Sequence, residues 1–304
     1  MSALNNRDLD KIFQSYTGDS ILKAELFSTG LSLFVYDVIT KSGNKYVVRI
    51  APPDRKSELE DGIYWQKKLE HLPIPLPELF HTGQIEDYSF AIYERIPGDD
   101  LEIIYHKLSS NDKKNISHQV ADIQQEIHTL NEPSSEKSTS WVERVQNILN
   151  RSERQISKNG LCDKRYIERV KSQIQKNEDY LSSVTPIAFL YDLNVRNVII
   201  YNSRVNGIID VDEVWFGDPL LTIGRGKALL LSMNQNIDYI HYWCEYLNLS
   251  DFQKSIVDLY ALLYSLRFMG TLGQTLNGNY SSQTDPKNAK LFETIADNLL
   301  IRLA

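Results

Sequence analysis

The segment from residue 192 to 218 combines carboxylates and amides at fixed spacing with short apolar runs. Asp192 is followed five residues later by Asn197, and a second apolar run, Gly207–Ile208–Ile209, leads directly to Asp210. Phosphoryl transfer needs one carboxylate to accept the proton of an attacking hydroxyl, and an amide and a second carboxylate to hold magnesium on nucleotide phosphates. This spacing is far more specific than a lone acidic pair, so it predicts such a site.

Length and composition are those of a chain that can build a sizeable apolar core. At 304 residues, it has room for one large domain or for two lobes. Hydrophobic residues make up 42% and charged residues 24%, which is ordinary for a soluble globular protein. The net charge of −7 argues against a nucleic-acid-binding protein, which usually presents a basic face.

Other features of the sequence bear on location. The first residues lack the apolar segment of a signal peptide, and no apolar run approaches the roughly 20 residues that span a bilayer. Cys162 and Cys244 show neither metal-ligand spacing nor a disulfide framework. We therefore expect a cytoplasmic protein that does not bind membranes. The sequence leaves the oligomeric state open.

The first 96 residues have the pattern of a strand-rich unit. Residues 6–16 and 55–72 carry apolar side chains at helical spacing. Ser42–Gly43–Asn44 marks a hairpin turn, and Pro52–Pro53 ends the strand that follows it. The predicted strands span residues 21–28, 33–40, 45–51, 79–85 and 88–95.

The pattern changes after Ile96–Pro97–Gly98. Helical spacing dominates from about 100 to 182, with a break near 131–135, and again from 220 to the end, with a loop expected at 277–286. A small β element surrounds the motif that begins at Asp192. We therefore predict an α+β fold of two lobes, residues 1–96 and 97–304, with a hinge near residue 96.

This order of elements resembles the protein-kinase-like fold, and specifically the aminoglycoside phosphotransferase and choline kinase group. The resemblance covers residues 27–218, most of the chain. Leu190–Tyr191–Asp192 to Asn197 is similar to the family pattern H-G-D-x-x-x-x-N. Ile209–Asp210–Val211–Asp212 is similar to I-D-W or I-D-F with a nearby acid, and Gly217–Asp218–Pro219 is intact, with Asp218 placed to cap a following helix.

The resemblance implies a role for each polar residue of these motifs. Asp192 is the catalytic base, which takes the proton of the acceptor hydroxyl. Asn197 and Asp210 hold Mg²⁺ on the phosphates of ATP or GTP, since a hard cation requires oxygen ligands. Asp212 orients the acceptor or the metal, or is a solvated surface acid.

The first lobe resembles the nucleotide-binding lobe of the family. The turn Ser28–Thr29–Gly30–Leu31–Ser32 is similar to the pattern G-G-x-S-N, in which backbone amides at Gly30 and Ser32 cover phosphates, although a hairpin glycine alone is usually structural. Arg49 occupies the place of the phosphate-binding lysine and would pair with phosphates and with Glu58. Asp61 competes for the role of Glu58, and either acid could be solvated instead.

Residues 90–98 resemble the hinge strand. There the Glu94 carbonyl and the Ile96 N–H would bond to the purine base, so the identity of their side chains matters little. Tyr93 is either a core residue or a bulky group at the back of the pocket that favours guanine over adenine.

Two positions depart from the family pattern. Leu190 replaces the histidine two residues before the base, and Thr222 replaces an acid four residues after Asp218. Neither removes a group that touches phosphate, so we expect a kinase that transfers the γ-phosphate of ATP or GTP to a hydroxyl of a small molecule. The alternative, motivated by Leu190 and Arg49, is a nucleotide-binding pseudokinase with a regulatory role.

The resemblance leaves the acceptor open. An aminoglycoside-like molecule, choline, homoserine and an amino sugar are all compatible with this fold. The aromatic and acidic stretch 238–246 could hold a cationic or sugar-like acceptor, or be the buried face of an amphipathic helix. The segment from Asp212 to Asp218 is too short for a peptide-docking loop, which argues against a protein acceptor.

Overall fold

Antiparallel pairing joins the five strands of the first lobe into one sheet. The structure, a computed structural model, describes residues 6–27, 33–131, 140–274 and 284–304. The strands are β1 (Ile21–Leu26), β2 (Phe34–Thr40), β3 (Lys45–Ala51), β4 (Leu79–Ile85) and β5 (Tyr88–Glu94), in the spatial order β1-β2-β3-β5-β4. All five were predicted. The end of the first predicted strand, at Ser28, lies outside the described residues.

Each face of this sheet is covered by one helix. The apolar side of α1 (Asn6–Thr17) packs on the face that carries Val48 and Ile50, whereas α2 (Lys56–Leu69) packs on the face that carries Ala51. Side chains alternate between the two faces along a strand, so Arg49 of β3 points to the same face as α2. The sheet therefore directs this cation towards the cleft below α2.

The second lobe is mainly helical, as predicted. Its helices are α3 (Leu101–Ile104), α4 (Ser110–Ile127), α5 (Trp141–Asn159), α6 (Arg165–Lys176), α7 (Glu178–Ser183), α8 (Leu220–Ser232), α9 (Asp238–Tyr246), α10 (Asp251–Thr271) and α11 (Ala289–Arg302). Capping boxes begin three of them, at Ser109, Ser140 and Ser250. The predicted break at 131–135 and loop at 277–286 fall mostly outside the described residues. Within the described ranges every helix is too short or too polar to cross a bilayer.

Two small sheets frame the motif segment. One pairs β6 (Asp99–Asp100) with β8 (Val198–Tyr201), and β8 with β9 (Arg204–Ile208). The other pairs β7 (Ile187–Leu190) with β10 (Val214–Gly217). The loops 191–197 and 209–213 leave these strands side by side, which brings the two halves of the motif together.

Asp218 ties four helices to the base of this loop pair. Its Oδ1 accepts the first N–H of α8, from Leu220, at 3.0 Å, as predicted for a capping residue. Its Oδ2 accepts the hydroxyls of Tyr180 at 2.8 Å and Tyr260 at 2.7 Å, and Tyr260 in turn accepts the indole N–H of Trp141. The carboxylate is buried and fully hydrogen-bonded, so its role is structural.

Candidate active site

Two amides fix the loop that carries Asp192. The side chains of Asn194 and Asn197 both donate to the Asp192 carbonyl, at 3.0 and 2.9 Å, and Asn194 also donates to the Asp192 carboxylate. The loop therefore closes on itself, while 30% of the Asp192 side chain remains exposed to the cleft. A base must be held in place and still reach its substrate, and this loop meets both conditions.

A backbone hydrogen bond joins the two halves of the motif. The Ile209 N–H donates to the Asn197 carbonyl at 2.9 Å, so the next residue, Asp210, lies beside the loop of Asp192. Asp210 has φ +57°, a left-handed conformation that costs a residue with a side chain about 1–3 kcal/mol and that persists at functional sites. The structure thus brings Asp192, Asn197 and Asp210 together.

Arg49 reaches across the cleft to the second half of the motif. Its guanidinium donates to both carboxylate oxygens of Asp212, at 2.7 Å for the Nη1–Oδ1 contact, and to Asp210 at 3.2 Å. Only 15% of the Arg49 side chain is exposed. A two-bond fork between a guanidinium and a carboxylate is the strongest form of this contact, so Asp212 is the principal partner of Arg49.

The predicted pair between Arg49 and Glu58 is not formed, and this corrects the sequence interpretation. Glu58 instead lies 3.4 Å from Arg55 in an exposed ion pair. The buried face of α2 consists of Leu59, Gly62, Gln66 and Leu69. Glu58 precedes the first of these residues by one position and is exposed, and Asp61 is exposed as well. The helix therefore offers no carboxylate to the cation.

Gly62 makes room for the carboxylate that takes this place. A Cβ at Gly62 would lie 2.5 Å from Asp212 Oδ1 and 2.8 Å from its Cγ, well inside contact distance. The helix can approach Asp212 only because residue 62 has no side chain. The ion pair of Arg49 thus joins the two lobes, whereas the expected pair would have stayed within the first.

The donors beside Asp192 fit a magnesium ion. Asn197 uses its amide nitrogen on the loop, which leaves the amide oxygen as its possible ligand. Desolvation in the cleft raises the pKa of Asp210, although 47% of its side chain is exposed. Arg49 lowers this pKa, whereas Asp212 and Asp192 raise it, and the resulting pKa is about 7. A divalent cation would relieve this crowding of carboxylates.

No three His, Cys, Asp or Glu side chains among the described residues form a metal cage. Magnesium on a nucleotide does not need one, because phosphates and waters complete its shell around one or two protein ligands.

The hinge residues lie where β5, an inner strand of the first sheet, ends. Glu94 ends β5, and its N–H donates to the Glu78 carbonyl at 2.9 Å. A cavity of about 360 Å³ lies at the hinge, and its lining residues are Leu76, Glu94, Ile96, Pro97, Tyr201 and Asn206. The Tyr93 ring is buried among apolar residues of the first lobe, while its hydroxyl bonds to Arg49, so the residue belongs to the core and also lines the back of the cleft. The predicted turn with Gly30 and Ser32 lies outside the described residues.

The substitutions at 190 and 222 are compensated by other hydrogen bonds. The Leu190 N–H donates to Gln124 Oε1 at 3.3 Å, and the Leu190 carbonyl accepts the Thr222 hydroxyl at 2.9 Å. The strand that leads into Asp192 is therefore anchored on both sides without the usual histidine and acid.

Comparison with known proteins assigns the family. The sequence model of the phosphotransferase enzyme family, APH, matches residues 23–247, well over half of the chain. The chain belongs to this family. No curated protein sequence matches it.

Solved structures of aminoglycoside phosphotransferases share the fold. The GDP complex of a mutant of aminoglycoside 2'-phosphotransferase-IIIa has a TM-score of 0.75 at 17% identity, covering 99% of this chain and 100% of that one. An apo thermostable mutant of APH(4)-Ia has a TM-score of 0.69 at 17% identity, covering 97% and 99%. The streptomycin–ATP ternary complex of APH(2")-IIa has 0.66 at 16% identity, covering 99% and 97%. At this identity the likeness shows the protein-kinase-like fold, as the motifs predicted.

Helix α9 of this phosphotransferase does not face Asp192. It packs mainly on α4, and its rings Tyr239 and Trp243 are each 1% exposed. Of the two interpretations of residues 238–246, the buried face of an amphipathic helix is therefore the one that the structure supports.

Sequence reasoning missed the residues on the other side of Asp192. Arg225 of α8 lies with its Nη1 2.6 Å from Asp192 Oδ1, and Arg144 and Arg151 of α5 and Arg267 of α10 surround the same region. The only local signal is the seven-residue spacing of Arg144 and Arg151, which puts both on one helix face. Their approach to Asp192 depends on how α5, α8 and α10 pack.

Proposed function

We propose that this phosphotransferase is a magnesium-dependent small-molecule kinase, which transfers the γ-phosphate of ATP or GTP to a hydroxyl. The observation that carries the proposal is the convergence of Asp192, Asn197 and Asp210 opposite Arg49 in the cleft between the lobes. Nucleotides in related structures, namely ADP, GDP and AMP-PNP, support the choice of co-substrate. We place the lobe boundary at residues 96–97, between β5 and α3.

Each side chain has a task in this proposal. Asp192 takes the proton from the acceptor hydroxyl as its oxygen bonds to phosphorus. Asn197 and Asp210 would hold Mg²⁺, which neutralises charge on the phosphates. Arg49 sits at the phosphate side of the cleft, and Asp212 orients it. Backbone amides at Gly30 and Ser32, together with the Glu94 carbonyl and the Ile96 N–H, would bind the phosphates and the base.

The acceptor is a small polar molecule in this proposal. Related structures hold streptomycin, gentamicin or hygromycin B, which supports an aminoglycoside-like acceptor, and choline, homoserine or an amino sugar would suit the same chemistry. Cys162 and Cys244 are both free and buried, which agrees with a cytoplasmic setting.

A pseudokinase is the second candidate, and the Arg49–Asp212 fork is the observation that favours it. The guanidinium is committed to a protein carboxylate, whereas a kinase must offer this cation to phosphates. A nucleotide that binds without turnover would support this candidate.

The test measures magnesium-dependent release of ADP and GDP with a panel of hydroxyl compounds. Wild-type protein is compared with Asp192→Asn, which keeps the size of the side chain but cannot take a proton. Acceptor-dependent turnover that disappears in the variant supports the kinase. Tight binding of the magnesium nucleotide, with equal background hydrolysis in both proteins, would replace it with the pseudokinase.

A further inference from the structure

A fixed positive charge, that of Arg225, lies directly beside Asp192. Arg225 pairs with Asp192 at 2.6 Å and also donates to the Tyr191 carbonyl at 3.0 Å. Its guanidinium lies over the rings of Tyr191 and Tyr264, 4.4 and 5.7 Å from their centroids. The Tyr264 hydroxyl bonds to that of Tyr191 at 2.7 Å, so this arginine has little freedom to turn away.

Two stacked aromatic rings, those of Tyr191 and Trp215, connect Arg225 with a second arginine. The ring of Trp215 stacks on Tyr191, with centroids 3.9 Å apart and planes 14° from parallel. The Arg144 guanidinium lies over the Trp215 ring, 5.4 Å from the ring centroid. The Arg144 Nε is buried and has no hydrogen-bond partner among the described residues. An unpaired buried donor is costly, and an oxygen of a bound ligand would satisfy it.

Two further arginines complete what we call the arginine cluster, Arg144, Arg151, Arg225 and Arg267. Arg267 donates to Gln155, and Gln155 lies one turn after Arg151 on α5. Burial lowers the pKa of Arg267, and the charges of Arg151 and Arg225 lower it further. Like charges are therefore close enough to repel in the free protein, and a bound anion would relieve this repulsion.

Two acids interact with this cluster. Asp192 and Glu213 interact electrostatically with Arg225, and Glu213 also with Arg151. These described interactions join four arginines with two carboxylates, in a chain whose overall charge is −7. The local sign is opposite to that of the molecule as a whole.

We propose that the acceptor is an anion, namely a small hydroxyl-bearing carboxylate or phosphate monoester. This inference rests on the proposed function, because it names the substrate class of the same site, and it excludes the cationic acceptors considered there, namely aminoglycosides, choline and amino sugars. Arginine forks match carboxylate and phosphate oxygens geometrically, whereas a polycationic acceptor would meet repulsion at short range.

In this assignment, the hydroxyl of the anionic acceptor attacks the γ-phosphate of the nucleotide. The acceptor oxygen bonds to the γ-phosphorus as the bond from that phosphorus to the bridging oxygen breaks. The electron pair leaves with the nucleoside diphosphate, and the hydroxyl proton goes to Asp192. The arginine cluster holds the acid group of the acceptor, and so positions its hydroxyl next to Asp192.

Calorimetric binding to protein saturated with Mg²⁺ and AMP-PNP tests the assignment. The probes are gluconate and glycerol 3-phosphate as anions, glycerol as the neutral compound and glucosamine as the cation. Arg151 is exposed, so Arg151→Gln should fold. Arg154→Gln is the matched control, because Arg154 lies on the same helix, donates to its own helix at Asn150 and carries the same charge.

We expect at least one of the two anions to bind, and added chloride to weaken this binding by competing for the arginines. Glucosamine should not bind. Arg151→Gln should weaken anion binding about tenfold, as for the loss of one charge-assisted hydrogen bond, while Arg154→Gln leaves it unchanged. Turnover assays of the probes that bind should show the same order.

Three results would overturn the assignment. One is binding or Asp192-dependent turnover of glucosamine but of no anion, which would leave the kinase proposal intact. Another is equal loss of anion binding in both arginine variants. The third is no anion binding to protein that does bind AMP-PNP. Failure of AMP-PNP itself to bind would remove the proposed function and this inference with it.

Discussion

The two sides of Asp192 are built from opposite kinds of information. On the nucleotide side, the contributing residues of the second lobe fall between Asn197 and Asp212, and a single backbone bond brings them together. On the proposed acceptor side, three separate helices deliver the four arginines of the cluster. Chemistry common to a family is thus held in one short segment, whereas the acceptor side depends on helix packing and can change by substitution at distant positions.

The largest effect expected is from Asp192→Asn, which touches both sides. Loss of a general base typically lowers turnover by about 10²- to 10⁴-fold, so acceptor phosphorylation should fall into that range. Nucleotide binding should be unchanged, since Asp192 is not among the proposed metal ligands. The measurement is steady-state turnover alongside titration of the nucleotide. A variant that retains a tenth or more of the activity would show that another group takes the proton.

Gly62→Ala should damage only the nucleotide side. The added Cβ would meet the Asp212 carboxylate at 2.5 Å, and overpacking of this kind costs about 1–3 kcal/mol. We expect a lower free energy of unfolding in urea and weaker nucleotide binding. The control is Gly226→Ala in α8, where the added atom meets only Ile240 Cδ1, at 3.4 Å, and should cost little. Equal effects of the two changes would mean that Gly62 does not make room for Asp212.

The two sides should also differ in their response to pH. The pKa of Asp210 is raised to about 7 in the folded protein from 3.8, so the folded protein binds its proton more tightly than the unfolded chain does. Its contribution to stability is therefore complete below about pH 4 and is lost as pH rises to about 7. In urea unfolding without metal, the free energy of unfolding of the wild-type protein should fall between pH 4 and 7, and that of Asp210→Asn should not show this fall. The arginines stay charged throughout this pH range, so they should add no pH dependence of their own. If the stability of Asp210→Asn depended on pH as strongly as that of the wild type, the dependence would belong to another group.

The smallest effect expected is on the stability of Arg151→Gln. This change removes one member of a set of like charges, so it should raise the free energy of unfolding slightly, by about 0.5 kcal/mol or less for an exposed charge. Arg154→Gln should not stabilise the protein. Chemical denaturation of both variants at low salt gives the comparison, and destabilisation by Arg151→Gln alone would contradict repulsion within the cluster.

Patterns that depend on neighbouring residues were predicted well. Alternation along β3 and β5, and the spacing from Asp192 to Asp210, follow from local geometry, so the sheet and the motif loops could be read from sequence. The face of α2 was misjudged by one residue, because Glu58 and Leu59 both satisfy helical spacing with Gly62. Packing against the sheet chose Leu59.

The acceptor side could not be predicted from the same kind of pattern. Arg225 lies 33 positions after Asp192 in the chain and Arg267 a further 42, and nothing local states that they meet. The pairing of Arg49 with Asp212 joins residues 163 positions apart. Such contacts are decided by how whole elements pack, and the absence of a side chain at Gly62 is a signal only once α2 has been placed.

The ion pair across the cleft has a consequence for the speed of the catalytic cycle. Because Asp212 belongs to the second lobe, any opening motion that separates the lobes breaks both hydrogen bonds of the Arg49–Asp212 fork. Under the proposed function, a lobe opening that releases the spent nucleotide would have to break this fork, so added salt, which screens charges, should hasten release and not the chemical step.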